Sequence, residues 1–192
     1  PVNPNAKIIQ SVRAYPRVEE IPDAVDLAVL VLPKNLILDA VKGCAQKGVR
    51  AMVIISAGFG ETGEEGKAAQ NEILRICREN GIRLVGPNCL GIMNADREVN
   101  LNATFAPTYP PEGNVAFLSQ SGALGLGILD YSQALGIGIS TFVSVGNKAD
   151  TSVPTRKQHG PMWGPTEAQS SEAFAPKAPA RASAIFDASC WA

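Results

Sequence analysis

The chain has 192 residues, of which 18% are charged, and a formal net charge of -1 at pH 7. This length allows one substantial core or two small domains. The balanced charge gives no basic surface for a nucleic acid or an anionic membrane, and no apolar run approaches the roughly 18 residues of a membrane-spanning helix. We therefore expect a cytoplasmic protein that binds neither nucleic acid nor membrane.

The first half of the chain alternates predicted strands with predicted helices. Strands are expected at 25–32, 49–55 and 82–85, and the first of them is almost entirely apolar, as is typical of a parallel strand covered on both faces. Asn35 is expected to cap the first helix, and Thr62 with Glu65 fits a capping box before the second. This order predicts right-handed crossovers and a parallel sheet.

Three segments follow these strands and are expected to meet at one edge of the sheet. They are Pro33-Lys34, Ser56-Ala57-Gly58-Phe59 and Gly86-Pro87-Asn88-Cys89. Ligands of open parallel sheets bind beyond the carboxyl ends of the strands, so this edge is a candidate binding site. The same residue types also occur in ordinary strand-to-helix turns, and the pattern alone leaves both interpretations open.

The chain from 99 to 113 contains three prolines and is interpreted as a linker, and 114–150 as the start of a second α/β unit. In that unit a predicted strand passes without a loop into a predicted helix. The junction is Ser119-Gln120-Ser121-Gly122-Ala123. Unpaired N–H groups at a helix N-terminus favour an anion, which makes these five residues candidate phosphate ligands. The alternative is that Ser119 or Ser121 only caps the helix.

The cysteines and the single histidine indicate no metal site. Cys44, Cys77, Cys89 and Cys190 stand far apart and form no C-x-x-C pair, so neither a zinc site nor a disulfide framework is expected. Cys44 and Cys77 fall on apolar helix faces, as ordinary small hydrophobic residues do.

Residues 151–192 differ in composition from the rest of the chain. They contain no Leu, one Val and one Ile, but five Pro and nine Ala. Such a segment cannot build a core, so we expect a divergent, disordered tail. Our hypothesis is that a shifted reading frame or a junction follows Asp150.

Nine short motifs resemble, in order, those of a known enzyme family. They are Val2-Asn3-Pro4, Ala14-Tyr15-Pro16, Ile21-Pro22-Asp23, Val25-Asp26-Leu27-Ala28-Val29, Ile55-Ser56-Ala57-Gly58-Phe59, Gly86-Pro87-Asn88-Cys89-Leu90-Gly91, Asn102-Ala103-Thr104-Phe105, Ser119-Gln120-Ser121-Gly122-Ala123 and Gly146-Asn147-Lys148-Ala149-Asp150. The family is that of the ADP-forming (NDP-forming) acyl-CoA synthetases, relatives of the succinyl-CoA synthetase alpha subunit. The resemblance covers about residues 1–150, and an ordered set of motifs is more specific than any one of them.

The resemblance implies an α/β fold: a Rossmann-like CoA-binding domain with a parallel sheet at 1–98, then part of a flavodoxin-like domain. It also implies a fragment of an enzyme that joins an acid to CoA with ATP, or the reverse, through acyl phosphate and phosphohistidine. Pro33, Ser56, Ala57, Gly58, Phe59, Asn88 and Cys89 are then candidate CoA ligands, and the helix after Ser121 directs its N-terminus at the phosphohistidine. ATP or ADP and Mg are implied only through a nucleotide-grasp domain or beta subunit.

The chain departs from the family in several places. The first strand and the glycine-rich loop, expected before Pro1, are absent, which predicts an unpaired strand edge. Where many relatives have Lys after the Asn-Pro turn, this chain has Asn5. No histidine matches the phosphorylated one, because the surroundings of His159 differ, so no catalytic residue is assigned.

Two other functions fit part of the sequence. The first is a non-catalytic domain that senses CoA or acyl-CoA, as in acetyltransferase fusions that resemble these synthetases. The second is a serine hydrolase with Ser121 as its nucleophile. The turn that carries the nucleophile in such hydrolases needs glycine at the position of Ser119, and the catalytic triad would need His159 from the tail. The sequence therefore disfavours a serine hydrolase.

Overall fold

The computed structural model describes residues 1–150 and the backbone of one strand in the tail. The strands in chain order are β1 (Ile8–Ile9), β2 (Val12–Arg13), β3 (Leu27–Leu30), β4 (Ala51–Ile54), β5 (Arg83–Val85), β6 (Gly91–Asn94), β7 (Leu101–Thr104), β8 (Val115–Ser119), β9 (Ile139–Ser144) and β10 (Ser183–Ile185). The helices are α1 (Lys34–Lys47), α2 (Glu64–Glu79) and α3 (Gly122–Ala134), with 3-10 turns at Val18–Glu20 and Gly60–Thr62.

The first sheet is parallel and has the order β10-β3-β4-β5 among the described residues. Its strands are nearly all apolar because both faces are covered. On β3, Ala28 and Leu30 pack in the core that α1 and α2 share, whereas Leu27 and Val29 pack on the other face with Ala103 of β7. The prediction of a parallel sheet with two buried faces is confirmed.

The helices of the first domain end where the sequence predicts. Gly48 closes α1 in the left-handed conformation, with φ of 79°, and Asn80 followed by Gly81 closes α2. Cys44 and Cys77 are fully buried on the inner faces of these helices. Both therefore serve as small hydrophobic core residues, as expected.

The helix starts differ from the prediction. Pro33 precedes α1, so Asn35 lies inside the first turn and does not cap it. Gly63 is the N-cap residue of α2, and Thr62 lies before it in a 3-10 turn, where its hydroxyl donates to the carbonyl of Phe59 at 2.8 Å. No side chain of the described residues caps α2, so the expected capping box with Glu65 is wrong. In both helices the first turn begins at a different residue from the one that the sequence predicts.

The second sheet is mixed and has the order β7-β6-β9-β8 among the described residues. β8 and β9 are parallel, as the α/β pattern predicts, while β6 is antiparallel to both of its neighbours. Phe142 of β9 is fully buried, and α3 approaches it through Gly125, where a Cβ would lie 2.8 Å from the Phe142 ring. This sheet packs against the open face of the first one.

The interpretation of 99–113 as a linker is wrong over 101–104. Those residues form β7, which pairs in antiparallel register with β6 from Gly91↔Thr104 to Asn94↔Leu101. Pairing with a strand that precedes the segment, and burial of Ala103 against the first sheet, stabilise an extended segment with weak local signals.

The expected unpaired edge of the first sheet is also corrected. β10, which lies within the tail, pairs in parallel with β3, from Ser183↔Leu27 to Ile185↔Val29. The other residues of the predicted tail, including His159, lie outside the described part of the chain. Among the described residues, no helix is both long enough and apolar enough to cross a bilayer.

Candidate functional site

A cavity of about 780 Å³ lies at the carboxyl edge of the first sheet, where the second sheet closes against it. Its wall from the first domain includes Ser56, Ala57, Asn88 and Cys89. Its wall from the second domain includes Asn102, Thr104, Phe105, Gln120, Ser121 and Gly122. The fold therefore brings four of the seven predicted CoA residues and three of the five predicted phosphate residues to one cavity.

The other predicted CoA residues do not line this cavity. Pro33 is the residue before α1, and Gly58 lies beside the Lys34 side chain, where a Cβ would be 3.1 Å from Cδ. Phe59 is only 1% exposed and borders a second cavity, of about 480 Å³, between α1 and α2. Its side chain belongs to the core of the first domain.

Ser56 ties two of the predicted rim segments together. Its hydroxyl donates to the Leu32 carbonyl at 2.6 Å and accepts from the Leu32 N–H at 3.0 Å. Since both hydrogen bonds connect the segment after β4 to the segment after β3, the hydroxyl fixes the position of these two segments relative to each other. This part of the cavity wall is therefore preformed.

Cys89 lines the cavity with a protonated thiol. The thiol donates to the Ile54 carbonyl at 3.2 Å, and burial raises its pKa to about 12. A thiol with that pKa is not a nucleophile near neutral pH. The geometry thus makes Cys89 a wall residue of the cavity and not a nucleophile.

Asn88 lines the cavity from a left-handed turn. Its φ is 55°, a conformation that asparagine tolerates better than most residues, and it follows the cis peptide between Gly86 and Pro87. Its side-chain Nδ2 donates to Oδ1 of Asn147 at 3.3 Å. The carboxamide is thereby held at the edge where the two domains meet.

The predicted phosphate segment forms the N-terminus of α3. Ser121 is the N-cap, because its hydroxyl accepts from the N–H of Leu124 at 3.3 Å. Ser119 is buried and donates to the Ser121 carbonyl at 2.8 Å. The capping role of Ser121 is therefore observed. Ser119 and Ala123 do not line the cavity, and anion binding by this segment stays a prediction.

Lys148 brings a positive charge to this helix N-terminus. Its Nζ donates to Oε1 of Gln120 at 3.1 Å. In the sequence, Lys148 stands out only as part of the motif Gly146-Asn147-Lys148-Ala149-Asp150. Because Lys148 lies 28 residues beyond Gln120, only the pairing of β8 with β9 shows that the two side chains meet.

The loop after β9 interlocks with the loop after β5. The N–H groups of Asn147 and Ala149 donate to the carbonyls of Pro87 and Gly86, at 2.9 and 3.1 Å. A Cβ at Gly146 would lie 2.3 Å from the Asn88 carbonyl oxygen, and its φ is 52°. Glycine is thus required at this position by both the conformation and the close approach.

Asp150 has a structural role at the end of this loop. Its carboxylate lies 3.4 Å from Nε of Arg78 and 3.6 Å from Nε of Arg83, and it accepts from the Leu84 N–H at 3.4 Å. These contacts attach the end of the second domain to α2 and β5 of the first. The carboxylate does not line the cavity.

Asn102, Thr104 and Phe105 are cavity residues that the sequence analysis did not assign to a site. They lie in β7 or directly after it, and the pairing of β7 with β6 places this segment against the first sheet. The available signal was their presence in one of the recognised motifs. In the described part of the chain, no three His, Cys, Asp or Glu side chains cluster as a metal site would require.

Comparison with known proteins agrees with this domain arrangement. Residues 1–95 match the family described as CoA binding domain, and residues 112–157 match the one described as succinyl-CoA ligase like flavodoxin domain. The alpha subunit of acetate–CoA ligase (ADP-forming) II from Pyrococcus furiosus is 53% identical over 150 residues, which make up 78% of this chain and 32% of that protein.

Two further comparisons extend the likeness. Acetate–CoA ligase (ADP-forming) I from Archaeoglobus fulgidus is 47% identical over 148 residues, or 77% of this chain and 21% of that protein. The solved apo structure of dinucleotide forming acetyl-coenzyme A synthetase 1 from Ca. Korarchaeum cryptofilum is 42% identical with a TM-score of 0.75, covering 79% of this chain and 32% of the other. The chain thus spans between a fifth and a third of the length of these relatives.

Proposed function

This chain belongs to the family of ADP-forming acyl-CoA synthetases, and we propose that it binds CoA in the cavity between its two domains. In the complete enzyme, the reaction joins an acid to CoA with ATP, or runs in reverse, through acyl phosphate and a phosphohistidine. The relatives named above are CoA ligases, which favours this function over the sensing domain.

The observation that carries the proposal is that one cavity is lined by residues from both predicted sites. Ser56, Ala57, Asn88 and Cys89 come from the first domain, and Gln120, Ser121 and Gly122 from the second. The volume of about 780 Å³ is within the range of small-molecule and cofactor sites. A thioester-forming enzyme needs its thiol substrate and its phosphoryl group in one place.

The first-domain wall suits the pantetheine arm of CoA. Backbone at Ala57 and the Ser56 turn offer polar groups, while Val29, Val31 and Ile55 supply apolar surface. Since the Cys89 thiol is protonated and donates a hydrogen bond to the Ile54 carbonyl, it does not compete with the CoA thiol as a nucleophile.

The second-domain wall suits a phosphoryl group. The N-terminus of α3 opens on the cavity at Ser121 and Gly122, and Lys148 is held beside it through Gln120. Fixed N–H dipoles and a cation favour the negative charge of a phosphohistidine or an acyl phosphate. ATP or ADP and Mg are expected to bind on a nucleotide-grasp domain or beta subunit.

The proposal is tested by titrating CoA into the ¹⁵N-labelled 192-residue chain and following its amide signals. We expect saturable changes at Ser56, Ala57, Asn88 and Gln120. Pantetheine should compete, because the proposed wall contacts that arm. Saturable changes confined to other residues, or no response to CoA at all, would overturn the proposal.

A further inference from the structure

Glu61 organises the loop between β4 and α2 without lining the cavity. One carboxylate oxygen accepts from the N–H of Gly58, and the other accepts from the N–H of Phe59 at 3.1 Å. The second oxygen also accepts from Nδ2 of Asn147, in the loop after β9. A single exposed carboxylate therefore connects the first domain to the second.

Three carboxamides continue this contact to the cavity. Asn147 donates its Nδ2 both to Glu61 and to Oε1 of Gln70, the latter at 3.0 Å. The same Gln70 oxygen accepts from the backbone N–H of Gly60 at 3.2 Å. Oδ1 of Asn147 then accepts from Nδ2 of Asn88 at 3.3 Å, which places Asn88 at the end of the series.

The direction of these hydrogen bonds follows from their chemistry. An ionised carboxylate only accepts, whereas a carboxamide can turn either its oxygen or its nitrogen toward a neighbour. Glu61 therefore requires the nitrogen of Asn147, which leaves the Asn147 oxygen for Asn88. Asn88 then uses one N–H of its nitrogen in this contact, which leaves its oxygen available as an acceptor at the cavity that the residue lines.

We propose that Glu61 is a positioning residue that makes Asn88 present a hydrogen-bond acceptor to the ligand. This inference rests on the proposed binding of CoA, and it names the ligand group as an N–H or O–H donor, such as an amide of the pantetheine arm. Asn88 discriminates against a ligand that offers an acceptor at that point, because two acceptors would face each other.

One observation supports the ionised form of Glu61, on which the direction depends, and a second fixes the position of its partner. Burial opposes ionisation, but the hydrogen bonds from Asn147 and from the backbone of Gly58 and Phe59 together hold the pKa of Glu61 below its ordinary value. The loop that carries Asn147 is also locked in place, by its own N–H bond to the Pro87 carbonyl at 2.9 Å.

The test is E61Q in the 192-residue chain, with E79Q as a matched control. Glutamine keeps the size of the side chain but replaces one acceptor oxygen with a donor, so either the Gly58 N–H loses its acceptor at residue 61, or the Phe59 N–H and Asn147 Nδ2 lose theirs. Glu79 loses the same charge on α2, where it pairs with Arg75 away from the cavity. The readouts are the side-chain amide signals of Asn88 and Asn147, and the CoA affinity.

We expect E61Q to move both amide signals and to weaken CoA roughly tenfold, whereas E79Q leaves both readouts unchanged. In the N88A background, E61Q should cause no further loss of affinity, since its effect passes through Asn88. A protein that only lost stability would show additive losses instead.

The outcomes separate the two proposals. If wild type binds CoA and E61Q binds it equally well, or if the losses are additive with N88A, the positioning role is wrong and CoA binding stands. If E61Q moves the Asn88 signals but wild type does not respond to CoA, the positioning of Asn88 stands and the proposed function fails. Unchanged amide signals in E61Q contradict the positioning role in either case.

Discussion

Asn88 donates from Nδ2 to Oδ1 of Asn147 at 3.3 Å across 59 residues of sequence. Asn88 follows β5 of the first sheet, and Asn147 follows β9 of the second. The backbone N–H of Asn147 also donates to Pro87 at 2.9 Å, so side chain and main chain join the two sheets at one point. The cavity wall therefore depends on correct docking of both domains.

Replacing Asn147 with alanine should lower the free energy of unfolding by about 2 kcal/mol. The hydrogen bonds of its carboxamide with Glu61, Gln70 and Asn88 are lost together. Urea unfolding followed by circular dichroism measures this change. The matched control is N71A, at an exposed position on α2. Equal stability of N147A and N71A would contradict the docking role of Asn147.

Gly146→Ala should destabilise the chain by about 3 kcal/mol or more. Its φ of 52° is unfavourable for alanine, and the new Cβ would lie 2.3 Å from the Asn88 carbonyl oxygen. Gly127 provides the opposite case, since it lies within α3 and a Cβ there meets nothing within 4 Å. G127A should raise the thermal midpoint, by helix propensity alone, while G146A lowers it.

Asn88→Ala tests the cavity directly, and N88G separates its two effects. Alanine at φ 55° costs about 1 kcal/mol of stability, whereas glycine adopts this conformation without strain. Both variants lack the carboxamide, so both should weaken CoA roughly tenfold by isothermal titration calorimetry. If only N88A lost affinity, backbone strain and not the side chain would be the cause.

The sequence predicted the first domain well because its signals are local. Near-continuous apolar strands such as Leu27–Leu30 and a left-handed glycine such as Gly48 determine their structure without distant partners. The same holds for Asn88 and Cys89, which follow a strand of a parallel sheet and must therefore lie at its binding edge.

The rest of the site could not be predicted, because its residues depend on contacts between distant segments. The sequence predicts a linker where β7 lies, since the burial of β7 comes from packing on the first sheet. The role of Glu61 depends on Asn147, 86 residues away, and no local pattern indicates that pairing. Phe59 is a predicted site residue that does not reach the cavity. It belongs to a motif at the edge of the sheet, but its side chain is buried in the core.

Cys89 should resist alkylation in the folded chain. Burial raises the pKa values of Cys44, Cys77 and Cys89 to about 12, so at pH 8 only about one thiol in ten thousand is ionised. Iodoacetamide should label none of the three within an hour in native buffer and all of them in urea, as measured by peptide mass spectrometry. Rapid native labelling of Cys89 would show that its thiol is reactive and would contradict its assignment as a wall residue.

Glu61 should make the stability of the chain depend on pH in the acidic range. Its hydrogen bonds hold its folded-state pKa below the ordinary value of 4.5, so its contribution is fully present above about pH 4.5 and is lost as the pH falls through the folded-state pKa. E61Q should therefore be less stable than wild type at pH 7, and the difference should shrink below pH 4.5.

Urea midpoints of wild type and E61Q, compared at each pH from 7 down to about 3.5, measure this contribution because the carboxylates that the two proteins share cancel in the difference. A difference that stays constant throughout this range would show that Glu61 acts through its shape, since a neutral carboxylic acid would then serve as well as the carboxylate. A difference that grows toward low pH would reverse the sign and contradict the depressed pKa.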